Sequence, residues 1–137
     1  MHLPITSGNI NYNINEESIS MKEELNALVE TAKAKAAEFP AAEQVVVVKT
    51  AQDNVYAFAN DVLSKGEKDE RTFLKGLCDK GETELAYVVC VWKNGGVEIP
   101  AMHFLRLILE ADPKNAKAHL AVEGENGIEE RALDACL

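Results

Sequence analysis

Leu85-Ala86-Tyr87-Val88-Val89-Cys90-Val91-Trp92 carries no charge and does not alternate polar with apolar residues. A strand with one face in water alternates; a run of this kind needs cover on both faces. Helices above and below a sheet supply that cover, so the stretch points to an α/β chain. Upstream, residues 69–80 read as a helix with Phe73, Leu74, Leu77 and Cys78 turned inward and Gly81 as its C-terminal cap. Downstream, Asn94-Gly95-Gly96 breaks the strand, and Pro100 suits the first turn of a further helix reaching about Ala111. That helix is apolar on nearly every side (Met102, Phe104, Leu105, Leu107, Ile108, Leu109), which predicts cover from a sheet and from another subunit.

The remaining elements follow outward. Val45-Val46-Val47-Val48 reads as a central strand, Gln52-Asp53-Asn54 as a turn, and residues 55–59 as the second strand of a hairpin. Residues 64–67 read as a loop. Ser20-Met21-Lys22-Glu23 is a capping box opening a helix whose Leu25, Leu28, Val29, Ala32, Ala36 and Phe39 share one face, with Pro40 as its stop. Residues 112–115 read as a loop, 118–122 as a strand, 123–127 as a turn and 129–137 as a short helix. Residues 1–19 form an extension with a short strand expected around Ile10 to Ile14, and residues 20–137 form one domain. The order α-β-β-α-β-α-β-α predicts a three-layer α/β/α sandwich around a mixed sheet of about four to five strands, with parallel pairing where helices link strands.

At 137 residues the chain is long enough for one hydrophobic core. Its net charge of −9, with lysines scattered among acids, repels phosphate backbones and anionic headgroups, so neither nucleic acid nor membrane is expected as a partner. No apolar run approaches the roughly 20 residues of a membrane span. The first twenty residues lack the pattern of a secretory signal, and a cytoplasmic protein is expected. Cys78, Cys90 and Cys136 are odd in number and include no C-x-x-C pair, so buried reduced thiols are expected. No Ser/His/Asp or Cys/His constellation and no phosphate loop stands out; Asn94-Gly95-Gly96 is a turn without a following helix start.

Several pieces, in this order, resemble the cytidine deaminase superfamily. Leu28-Val29-Glu30-Thr31-Ala32-Lys33 is similar to the family's opening helix, and Glu70-Arg71-Thr72 to the end of its Cys-Ala-Glu-Arg-Thr motif. Ile99-Pro100 followed by Phe104-Leu105-Arg106 resembles its Pro-Cys-x-x-Cys helix, and Asn115-Ala116-Lys117-Ala118-His119-Leu120 the strand after it. The likeness spans most of residues 21–137. It implies a fold in which three ligands from two helix starts hold zinc, the metal activates water, and the motif's Glu shuttles protons.

The resemblance places Lys68, Ala101 and Phe104 where the ligands stand. A cation, a methyl group and a phenyl ring do not bind zinc, so no metal cofactor and no conventional deaminase activity are expected. Glu70 stands at the proton-shuttle position, as a hydrogen-bond partner for a bound base or as an acid favoured by the helix dipole. Asn60 and Asp61 are the nearest match to the ribose-gripping pair, although their spacing to Glu70 is shorter than the family's and turn residues look the same. His103, within the former Cys-x-x-Cys interval, reads as a structural or hydrogen-bonded residue, His119 as an interface residue, and His2 as part of the loose N-terminus.

Three functions remain open on this reading. One is a zinc-free module that binds a nucleoside or nucleobase, or assembles with itself as a dimer or tetramer. Another is a hydrolase with a rebuilt site using Glu70 and Lys68, which at i and i+2 do not share a helix face. The third is a deaminase with displaced ligands, for which Cys78, Cys90 and His103 are the available substitutes.

Overall fold

Val45, Val46, Val47 and Val48 are each 2% exposed or less, with Val46 and Val48 in one core cluster and Val47 in another on the opposite face. β-branched side chains fill both faces of a pleated strand, and this run is the centre of the sheet. The structure, a computed structural model, describes residues 10–60 and 66–137, with side chains at 21–59 and 69–137. Its elements are α1 (Ile10–Glu38), β1 (Gln44–Thr50), β2 (Val55–Asn60), α2 (Gly66–Asp79), β3 (Leu85–Trp92), α3 (Met102–Ala111), β4 (His119–Gly124) and β5 (Gly127–Ala132). Single 3-10 turns at Pro113–Lys117 and Leu133–Cys136 flank the last two strands.

The strands lie in the order β2-β1-β3-β4-β5. β1 is antiparallel to both of its neighbours, so β2 and β3 run the same way with β1 between them. β3 and β4 are parallel neighbours, and β4 and β5 are antiparallel. Each helical connection therefore joins strands of like direction, as expected, though the first passes over an intervening strand. Leu25, Leu28, Val29 and Ala32 of α1 pack on Val47, Val89 and Val91. Leu77 of α2 and Phe104, Leu105 and Ile108 of α3 pack on Val46, Val48, Val88 and Cys90. Three layers around a five-stranded mixed sheet result.

Local chemistry fixes the joints. Gly81 has φ +72°, its N–H donates to Cys78 O, and the Glu82 N–H donates to Leu77 O, so α2 ends in the left-handed turn its glycine predicts. Glu82, 5% exposed, accepts from Thr50 Oγ1 at 2.7 Å, Asn54 Nδ2 at 2.8 Å and the Tyr56 hydroxyl. It ties the β1–β2 turn to the end of α2. Asn115, fully buried, accepts from the Leu85 N–H at 2.7 Å and donates to Thr83 O at 2.9 Å and Ile108 O at 3.0 Å. One side chain thus joins the start of β3 to the end of α3.

Several expectations are corrected. Residues 10–14 are helical, not a strand, and Ser20 lies inside α1 rather than capping it, because the preceding residues continue the same helix. Residues 1–9 and 61–65 lie outside the described residues. Phe39 follows the end of α1 and is 47% exposed, since the stripe's last member falls beyond the helix. Cys78 is exposed; only Cys90 is a fully buried thiol. Pro100 precedes the N-cap Ala101, whose ψ of 139° keeps it out of the helix. Residues 113–117 form a 3-10 turn, not an open loop.

Residues 129–132 are a strand rather than helix, because pairing with β4 overrides the helical preference of Glu and Arg. α3 is also better covered by its own chain than its composition suggests. Phe104, Leu105, Leu107 and Ile108 are buried, Leu109 is half-buried, and Met102 is exposed. Most of the apolar patch expected on this helix is covered by the sheet and α2, Met102 excepted.

Candidate functional site

β2 and β3 end on one side of the sheet, where α2 and α3 begin, and ligands of open α/β sheets bind outside such carboxyl ends. The two helices meet there near their starts. Glu70 of α2 is 0% exposed, and its Oε1 lies 2.8 Å from His103 Nε2 of α3. The His103 side chain is 39% exposed, so a buried carboxylate holds a ring that reaches the surface.

Cys90 lies beneath this pair on β3. Burial, and then the Glu70 carboxylate, push its thiol far above the ordinary value, so it stays protonated and is a poor nucleophile. Its Sγ–H donates to Gln44 Oε1 at 3.4 Å. Gln44 opens β1 opposite Asn60 and Trp92, is 0% exposed, and its Nε2 has no hydrogen-bond partner among the described residues.

Aromatic rings form the rest of the floor. Phe104 is fully buried, with its ring centroid 5.4 Å from Phe58 in an edge-on contact, and Phe58 stacks on Phe73 at 4.4 Å. Trp92 Nε1–H donates to Ile99 O at 3.1 Å, pinning the segment that leads into α3.

Of the residues singled out in the sequence, Glu70, Ala101 and Phe104 come together at these helix starts. Asn60 ends β2, but its side chain, that of Lys68, and all of Asp61 lie outside the described residues. The His103 ring lies 2.8 Å from Glu70 Oε1. His119 pairs with Glu130 of its own chain, Nδ1 to Oε2 at 2.7 Å, and packs 5.4 Å from the Tyr87 ring. Two features went unread: the Glu70–His103 pair, which joins positions far apart in sequence, and Gln44. A carboxamide heading an otherwise apolar strand is the one signal that marked the latter.

The zinc that the resemblance implies does not fit these residues. The methyl of Ala101 and the ring of Phe104 offer no donor atom, and Phe104 is packed into the core. Among the described residues no group of three His, Cys, Asp or Glu side chains could hold a metal ion. Cys78, a proposed substitute ligand, is exposed on the helix three turns from its start.

No protein-family model matches the chain. No curated protein matches it in sequence either. Solved structures do. The cytidine deaminase from Mycobacterium leprae aligns with a TM-score of 0.54 at 17% identity, covering 80% of this chain and 92% of that one. The cytidine deaminase from Mycobacterium tuberculosis aligns with a TM-score of 0.57 at 19% identity, covering 82% and 92%. With the sheet order, three layers and paired helix starts already in place, these alignments show that the chain has the cytidine deaminase fold.

Proposed function

We propose that this protein is a metal-independent member of the cytidine deaminase fold that binds a nucleoside or nucleobase without deaminating it. The observation carrying this reading is the start of α3, where Ala101 and the buried Phe104 ring stand at positions the resemblance gives to metal ligands. Water without a metal ion keeps a pKa far above neutral and attacks a ring carbon too slowly for such a reaction. Glu70, His103 and Gln44 are polar groups at the end of the sheet where α2 and α3 start.

Purified protein is expected to hold less than stoichiometric zinc after dialysis against a mild chelator, and to release no ammonia from cytidine or deoxycytidine. One retained zinc per chain, or turnover, would overturn the reading in favour of a deaminase with a rebuilt site. A thermal-shift screen of nucleosides and bases tests the binding half.

A second reading, self-assembly, rests on the open edge of the sheet. Val55 is 47% exposed and Ala57 is exposed beside it on β2, while Met102 is 38% exposed on α3. A second copy closing this edge would give a symmetric dimer or tetramer. No helix among the described residues is long and apolar enough to cross a membrane. A cytoplasmic location completes this reading.

A further inference from the structure

The carboxamide of Gln44 is out of keeping with its surroundings. It heads a strand of four buried valines, is 0% exposed, and has one partner among the described residues, the Cys90 thiol at 3.4 Å. A thiol is a weak donor and a weak acceptor, so either assignment of the amide oxygen and nitrogen leaves one strong polar atom unmatched. In the structure that atom is Nε2. A buried donor without an acceptor costs free energy that a leucine at the same place would not. Groups kept at such a cost cluster where ligands bind.

Its position fits a ligand. Gln44 stands in register with Asn60 at the end of β2 and Trp92 at the end of β3, the edge of the sheet from which α2 and α3 start. Cys90, its neighbour, shares a core cluster with Phe104 of α3. The Glu70–His103 pair, at 2.8 Å, closes the same end.

We propose that Gln44 is a recognition donor at this end of the sheet, and that the ligand is an uncharged cyclic amide or ureide whose ring carbonyl accepts from Gln44 Nε2. The ligand is uncharged because an anion would be set against the buried Glu70 carboxylate in a chain of net charge −9. This inference rests on the nucleoside-binding reading and adds to it the residue that reads the ring and the exclusion of phosphorylated forms.

The test is isothermal titration of the full chain with uridine, cytidine, adenosine, uridine 5′-monophosphate and a phenyl riboside that lacks ring carbonyls. Uridine is expected to bind at least tenfold more tightly than either the monophosphate or the phenyl analogue. Gln44→Leu is expected to weaken uridine binding at least tenfold while unfolding at an equal or higher temperature. Binding and stability moving in opposite directions is a signature that a merely structural glutamine does not give. A variant that unfolds earlier, one that keeps full affinity, or a wild type that binds the phenyl analogue equally well would overturn the role of Gln44 and leave nucleoside binding standing. No binding of any nucleoside by the wild type would overturn both.

Discussion

Phe104 occupies a position the resemblance reserves for a metal ligand, and it is 0% exposed against Phe58 and the sheet. Phe104→Ala is expected to cost about 3–5 kcal/mol, the transfer term plus the cavity left by the ring. Chemical denaturation measures it, and a loss below about 1 kcal/mol would place the ring outside the core. Glu82 supports a prediction in pH. Hydrogen bonds from Tyr56, Asn54 and Thr50 outweigh burial and hold its carboxyl below the ordinary 4.5, while the Tyr56 hydroxyl is pushed up. A folded value below the unfolded one means that the carboxylate stabilises the fold fully above pH 4.5, and that this contribution is lost as pH falls through the folded value. Melting temperature followed from pH 6 downward should therefore decline, and Glu82→Gln should flatten that decline. An unchanged acid limb in the variant would remove Glu82 from the account. Phe104 could be named from the sequence because it is a missing ligand. The cost of its loss could not, because burial is a property of its neighbours.

At the scale of elements, strands were the most legible. β3 runs over the eight residues whose apolar character set the fold, and β1 and β2 form the expected hairpin. Periodicity marks a strand well when burial on both faces removes ambiguity, as in Val45 to Val48. β5 was misread because Glu129, Glu130 and Arg131 favour a helix locally, while the backbone groups left open along β4 favour a strand there. The charges then suit an edge, since they discourage pairing with another chain. Asn115 shows how joints between elements escape a linear reading. Its three bonds reach Leu85, Thr83 and Ile108. Asn115→Ala should destabilise the fold by on the order of 3 kcal/mol, because each buried group stripped of its partner costs ~1–3 kcal/mol. Hydrogen exchange should rise first at the start of β3 and the end of α3, and uniform exchange across the sheet would contradict this local role.

For the whole molecule, the apolar count of α3 argued for a partner surface, and its own sheet and α2 supply most of that cover. What remains is the β2 edge with Val55, together with Met102. Sedimentation at micromolar concentration should give at least twice 15.0 kDa, and Val55→Lys should lower that mass. A folded monomer in the wild type would show that the edge needs no second copy. The sequence by itself determined the α/β class, the central strands, the likeness to cytidine deaminases and the absence of ligand atoms at Ala101 and Phe104. These follow from side-chain chemistry and from periodicity, both of which are local. Only the tertiary structure decided that Glu70 meets His103, that Gln44 is buried beside Cys90, and that β5 is a strand. The first two join residues far apart in sequence, Gln44 and Cys90 being 46 positions apart, and the third depends on pairing with β4; no local preference encodes which partner a polar group will find.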